Sequence, residues 1–230
     1  MSDKPILTRE ALLNGDIARL IRNDQKSLRV MSDEERDELV QKTLDELGDE
    51  TDLWVFGYGS LIWNPSLEFE ERRSCMIQGF HRKFSFWTTL SRGSEEQPGL
   101  MVGLIEGGSC DGVAYRISHD KATTELDILY RREMSHFVYK PVWVEALCKE
   151  TQKTINTLTF IVDTSNDKYA ADLEQDEVIS AIATAVGPLG RNCDYLFQLT
   201  EKLRELGFRD TGMEELAQQV AEYQTTQGEQ

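Results

Sequence analysis

Between Leu53 and Val162 the apolar residues recur at the spacing of strands, whereas on either side they recur at the spacing of helices, and this change of period demands a β-rich centre with helical flanks. The centre contains LWVFGY, LEFEE, RKFSFW, LMVGLIE, DGVAYRI, YKPVWVEAL and TINTLTFIV, short segments separated by Gly, Pro, Asn and Ser. Between the fifth and sixth lies one helical stretch. It runs from Asp120 to about Arg132, follows Ser118 as cap and turns Leu126, Leu129 and Tyr130 inward.

Before the centre, residues 8–22 fit a short helix capped by Thr8, although Asn14, Gly15 and Asp16 interrupt it. Ser32-Asp33-Glu34-Glu35 is a capping box, and Leu39, Val40, Thr43, Leu44 and Leu47 then share one helical face before Gly48. After Asp163 three helical runs follow: Val178, Ile179, Ile182 and Val186; Tyr195, Leu196, Leu199, Leu203 and Leu206; Met213, Leu216, Ala217 and Val220. The expected architecture is α+β, with helices packed on a sheet. The expected organisation is a helical extension over 1–50, a domain over 51–224 and an unstructured tail over 225–230.

A chain of 230 residues can bury a substantial core, and 40% hydrophobic with 29% charged residues is ordinary globular composition. No stretch approaches the roughly 18 apolar residues of a membrane span, and the polar start MSDKPILTREALLNGD lacks the pattern of a signal peptide. The expectation is a cytoplasmic protein with no membrane partner. Cys75, Cys110, Cys148 and Cys193 are widely spaced with no C-x-x-C pair, which reads as free buried thiols in a reducing compartment. The net charge of −16 is uneven: residues 53–162 hold 13 acids and 12 bases, whereas 1–52 hold 14 and 8, and 163–230 hold 14 and 5. No Lys/Arg cluster offers phosphates a footprint, so no nucleic-acid partner is expected. The near-neutral centre suits a small anionic substrate. The sequence does not define an oligomeric state.

Gly57-Tyr58-Gly59-Ser60-Leu61 directly follows the apolar run Leu53–Phe56. Glycines there can expose backbone N–H groups to an anion or a developing oxyanion, although an ordinary strand-to-loop turn explains the window equally well. A dinucleotide fingerprint fails because Ile62 stands where the third glycine should be, and a nucleophile elbow fails because Tyr58 and Ile62 flank Ser60. Ser60 is therefore a candidate for holding substrate through its hydroxyl or N–H. Trp63, like Tyr58, flanks the glycine loop.

Glu133 follows Arg131 and Arg132 at the end of the central helix. The helix dipole and burial would both raise the pKa of a carboxylate there toward that of a useful base. A surface glutamate paired with one of those arginines is the plainer reading of that window. Glu133-Met134-Ser135-His136 also reads as E-x-x-H, but a di-iron site needs two copies and two further glutamates, so no metal is expected. His81 and His119 read as structural.

Taken in order, VFGYGSLIWNP (55–65), QGFHRKF (78–84), SRG…QPG (91–99), GVAYRI (112–117), LYRREM (129–134) and GPLGRNCDYLF (187–197) closely resemble the ChaC family of γ-glutamylcyclotransferases. The resemblance runs through about residues 53–207. It implies a γ-glutamylcyclotransferase-like fold, a small mixed β-barrel with flanking helices. It also implies glutathione as substrate, no cofactor, and Glu133 as catalyst. The implied substrate-binding residues are Gly57, Tyr58, Gly59, Ser60, Leu61 and Ile62 in the loop, with Tyr195 as a nearby aromatic. Leu100 departs from the pattern, since many relatives carry Arg after the glycine matching Gly99. The implied reaction releases 5-oxoproline and cysteinylglycine. Other γ-glutamyl amino acids or amines would serve the same chemistry, and a non-catalytic γ-glutamyl-binding module is the alternative of another class.

Overall fold

The computed structural model describes residues 7–16, 19, 29–134 and 137–228. Strands β1 (Leu53–Gly57), β2 (Glu71–Thr88), β3 (Gly99–Ile117), β4 (Tyr139–Cys148) and β5 (Thr154–Val162) form a closed barrel in the order β1-β3-β2-β4-β5. Closure comes from β5, which runs parallel to β1 at Val55 and Leu158, while the neighbours within the ladder order are antiparallel. The barrel is therefore mixed, as the family resemblance implies.

The sequence breaks the barrel more finely than the backbone does. LMVGLIE and DGVAYRI are one continuous β3, and RKFSFW is the second half of β2, which begins only at Glu71. LEFEE is thus almost wholly outside the strands, with Leu67 buried beside the helices instead. The reason is that β2 and β3 pair along nearly their full length and absorb the apparent breaks as register shifts between Gln78 and Phe80 and between Phe84 and Phe86. All four cysteines are free and buried, as their spacing suggests, with Cys75 directly opposite Cys148.

Around the barrel lie α1 (Arg9–Leu13), α2 (Asp33–Leu47), α3 (His119–Glu133), α4 (Gln175–Thr184), α5 (Asn192–Glu205) and α6 (Thr211–Gly228). Thr8 caps α1 by accepting from the Ala11 N–H, and Ser32 and Glu35 form the anticipated capping box of α2. The first helix expected over 8–22 stops at Leu13, and part of the remainder lies outside the described residues. Val186 is not on the buried face of α4. It is 51% exposed in a two-residue strand, β6 (Val186–Gly187), paired with β7 (Gly190–Arg191), because the helix ends at Thr184. At the other end α6 continues to Gly228, so most of the tail expected to be unstructured is helical.

Two large apolar clusters hold these layers together, beside a small third one of Phe86, Val138 and Val162. One joins barrel residues such as Phe56, Ile77, Phe84 and Val102 to Ile182, Leu196, Leu199 and Val220 of the C-terminal helices. The other joins Val55, Leu158 and Phe160 to Leu126, Leu129 and Tyr130 of α3, and then to Leu12 and Val40 of α1 and α2. Each such fully buried side chain contributes about 1.5–3 kcal/mol, so the N-terminal helices are fastened to α3. Polar links add direction. Arg9 makes two 2.6 Å bonds to Glu125, which also accepts the Glu68 N–H at 3.0 Å. Arg36 pairs with Asp127, and the Thr43 and Tyr130 hydroxyls meet at 2.5 Å. The helix whose last residue is Glu133 is thereby gripped on one side by the barrel and on the other by α1 and α2.

Candidate active site

The chain leaves the barrel at Gly57 and turns at once through a 3-10 segment, Ser60–Ile62. Its carbonyl oxygens are tied down. Arg82 Nε donates to the Tyr58 carbonyl at 2.7 Å, and the Tyr115 hydroxyl donates to that of Leu61 at 2.8 Å. The Asn64 carbonyl accepts from Arg132 Nη1. The carbonyls of Tyr58, Leu61 and Asn64 are thus all engaged by side chains. Gly59 is closely approached: a Cβ there would stand 3.0 Å from the Tyr195 hydroxyl and 3.2 Å from Val102 Cγ1, so either side chain would have to shift.

The N–H groups of this turn are not equivalent. That of Ile62 is spent inside the turn, donating to the Gly59 carbonyl at 2.9 Å, and that of Ser60 is directed to the Tyr195 hydroxyl. Ile62 thus departs from the expectation that the whole loop presents donors. Its side chain is buried in the barrel cluster. Gly57 belongs to β1 and supports the turn from the strand end, where Leu61 packs against it.

Facing the turn is the end of α3. Glu133 is its last residue, with a side chain 15% exposed, and Oε1 lies 3.0 Å from Arg132 Nε. The two readings of this glutamate, an arginine partner and a perturbed carboxylate, are both present. Burial pushes the Glu133 carboxyl above its ordinary range, while the Arg132 cation opposes that rise without cancelling it. Arg132 also donates from Nη2 to Ser60 Oγ at 2.7 Å, so one guanidinium connects the carboxylate to the turn. Arg131 has a separate role on the outer face, pairing with Asp127 at 2.7 Å.

Three phenols complete the cluster. The Tyr58 hydroxyl donates to the Phe160 carbonyl and that of Tyr139 to the Val102 carbonyl, each at 2.9 Å. The two hydroxyls lie within hydrogen-bonding reach of each other. Burial raises the pKa of Tyr58, Tyr139 and Tyr195, and the Glu133 charge raises each further. Tyr195, from α5, is packed edge-on by Trp63 at 5.4 Å and by Phe84 at 6.1 Å, and the Arg92 guanidinium lies 5.8 Å from its ring centre. Glycine loop, helix end and α5 thus meet at one place.

Sequence reading overlooked Tyr139, which opens β4 shortly after Glu133 inside what looks like an ordinary alternating strand. It treated Arg132 only as a competitor for Glu133. Leu100 is fully buried, its N–H and carbonyl clamped by Asn192 Oδ1 at 2.7 Å and Nδ2 at 2.8 Å, so its side chain belongs to the core. His81 and His119 lie apart from the cluster, at Gly107 and Asp52 respectively. His136 lies outside the described residues. Among those described, no group of three or more His, Cys, Asp or Glu could hold a metal ion, and no helix is long and apolar enough to cross a membrane.

The family model described as ChaC-like protein matches residues 53–223. The chain belongs to the ChaC family. Its relatives include the glutathione-specific gamma-glutamylcyclotransferase of Escherichia coli K12, 39% identical over 211 residues that cover 92% of this chain and 90% of that one. The gamma-glutamylcyclotransferase 2-3 of Arabidopsis thaliana is 34% identical over 73% of this chain and 88% of its own. In fold, the ChaC barrel and helices described above match the yeast γ-glutamyl cyclotransferase specific to glutathione with a TM-score of 0.69 and 24% identity, covering 75% of this chain and 96% of that chain. All the motif blocks that carry the resemblance in sequence fall within the span matched by the ChaC model.

Proposed function

We propose that this protein is a γ-glutamylcyclotransferase that splits glutathione into 5-oxoproline and cysteinylglycine, with Glu133 as its acid-base catalyst. The observation that carries this reading is the buried Glu133 carboxylate, held by Arg132, which also bonds Ser60 of the Gly57–Ile62 turn, with a charge that acts on Tyr58, Tyr139 and Tyr195. The identity to the Escherichia coli relative over most of both chains supports the substrate.

In a γ-glutamyl amide the α-amine can reach the γ-carbonyl and close a five-membered lactam. The bond from the amine nitrogen to the γ-carbon forms, and the bond from that carbon to the cysteinyl nitrogen breaks. Holding the glutamyl chain folded supplies much of the rate, since attack is then intramolecular. An ammonium cannot attack, and α-amino groups titrate at about 7.7–8.0. Glu133 takes the proton from the amine and returns it to the leaving cysteinyl nitrogen, which balances the step without water, metal or organic cofactor.

The oxyanion that develops at the γ-carbonyl needs donors already in place. Gly59 and Leu61 offer N–H groups that neither the turn nor Tyr195 takes up among the described residues, so these two are the candidate donors. Tyr58 and Tyr139, held neutral by burial, line the glutamyl pocket, and Ser60 keeps a hydroxyl proton available while accepting from Arg132. Free buried thiols suit a cytoplasmic setting, where glutathione is the abundant reductant.

The test is incubation of the purified protein with glutathione and mass analysis of both products. Release of 5-oxoproline and cysteinylglycine in equal amounts is expected. Binding of glutathione without turnover would instead indicate a binding module, and faster turnover of other γ-glutamyl compounds would move the assignment to those substrates.

A further inference from the structure

Arg92 lies between β2 and β3, in the Ser91-Arg92-Gly93 segment, and nothing in the reaction described above employs it. It is half-buried, yet no carboxylate lies within ion-pair distance of its guanidinium among the described residues. Every other described arginine that is not exposed has an Asp or Glu partner, as Arg9 has Glu125, Arg36 has Asp127, Arg82 has Asp210 and Arg132 has Glu133. Arg92 makes one hydrogen bond, from Nη1 to the Arg191 carbonyl at 3.1 Å. Most of its donors are uncommitted, and burial disfavours its charge. A half-buried cation with uncommitted donors can receive an anion.

Its position is fixed by its surroundings. The Ser91 carbonyl accepts the Leu189 N–H at 2.8 Å, and the Ser91 hydroxyl meets Thr88 Oγ1 at 3.0 Å. The β6–β7 hairpin presses so close that a Cβ on Gly187 would stand 2.5 Å from the Ser91 carbonyl oxygen. Binding to such a held segment needs ordering of the side chain alone, not of the backbone that carries it. The guanidinium lies over Tyr195, whose hydroxyl end meets Ser60 and feels the Glu133 charge. Tyr195 is therefore approached by Arg92 over its ring and by the reacting centre at its hydroxyl end.

Glutathione carries two carboxylates. The one beside the attacking amine sits on the same carbon as that amine, and so next to Glu133. The other ends the glycine of the leaving dipeptide, and two extended residues place it up to roughly 7 Å beyond the γ-carbonyl. Arg132 is engaged with Glu133, Ser60 and Asn64, and Arg82 with Asp210 and Tyr58, so neither has the free donors that Arg92 has. We propose that Arg92 binds the glycyl carboxylate of glutathione and selects the tripeptide over γ-glutamyl compounds that lack this group. The proposal rests on the glutathione reading given above.

The test compares kcat/KM for glutathione with that for its glycyl monoethyl ester, in the wild-type protein and in Arg92→Ala and Arg92→Lys. Arg92→Ala should lose roughly 10- to 100-fold on glutathione, mainly through KM, as expected for removal of a charged hydrogen bond. On the ester it should match the wild type, and Arg92→Lys should fall between the two on glutathione. Because each protein is its own control, the ratio of the two substrates is insensitive to partial misfolding. An equal loss on both substrates, or no loss on either, would overturn the assignment while leaving the function intact. Absence of 5-oxoproline from the wild type would overturn the functional reading. Calorimetry of glutathione with Glu133→Gln, alone and combined with Arg92→Ala, then tests Arg92 without turnover: unchanged affinity would also overturn its role.

Discussion

Arg132 Nε stands 3.0 Å from Glu133 Oε1 while Nη2 of the same guanidinium reaches Ser60 Oγ at 2.7 Å, so adjacent residues at one helix end position both the carboxylate and the turn it faces. A planar cation with donors on several edges can make this double connection, and a lysine cannot. Arg132→Lys should therefore leave the protein folded but reduce kcat by about 10- to 100-fold, through the loss of a transition-state positioning contact. Steady-state kinetics with thermal denaturation of the same sample checks both halves. A kcat near the wild-type value would show that the turn needs no such brace.

Glu133→Gln keeps the side chain's size but removes its capacity to accept a proton. Turnover of glutathione should fall by at least the roughly 10²–10⁴-fold typical of a lost general base, with glutathione binding retained. Mass detection of 5-oxoproline at near wild-type rate would remove Glu133 from the mechanism.

The raised pKa of Glu133 has two consequences of definite sign. The base role proposed for Glu133 requires the ionised form, so the acid limb of kcat/KM should lie above the ordinary glutamate range. Arg132→Ala should shift that limb higher still, because the cation holds the pKa down. A limb at the value of an exposed glutamate, in a pH-rate profile corrected for unfolding, would contradict the burial argument.

For stability, a carboxyl whose folded pKa exceeds its unfolded one favours the fold most below the unfolded value, and that contribution is lost as pH rises through the folded pKa. At neutral pH the ionised Glu133 therefore costs stability relative to a neutral isostere. Glu133→Gln should melt no lower than wild type at pH 7, and its advantage should vanish at acidic pH. A marked drop in Tm at pH 7 would instead identify the Arg132 pair as structurally necessary.

The N-terminal helices should matter through α3. Arg9→Ala leaves Glu125, whose side chain is 1% exposed, without its bidentate partner. The cost should be about 2 kcal/mol, below the 3–5 typical of fully buried pairs because Arg9 is itself 29% exposed. Urea denaturation measures it directly. An unchanged midpoint would mean that Glu125 is sufficiently held by the Glu68 N–H.

The parts of this protein legible in its sequence are those set by neighbours along the chain. Strand period, the Ser32–Glu35 capping box, the glycine turn after β1 and the carboxylate at the end of α3 are all local patterns, so residue order alone reveals them. Local pattern also misleads where pairing overrides it. The breaks read within β2 and β3 vanish because each strand's ladder with the other outweighs a glycine or a polar pair, and Val186 leaves its helical series because α4 ends before it. Tyr139 gave no signal at all, and Arg92 stood inside the SRG…QPG block without a role attached to it. What makes them notable is that β4, α5 and the β2–β3 connection converge on Tyr195 and Glu133. Residue order determined which groups could do chemistry; only the closed barrel, by bringing distant strands within contact distance, decided which of them meet.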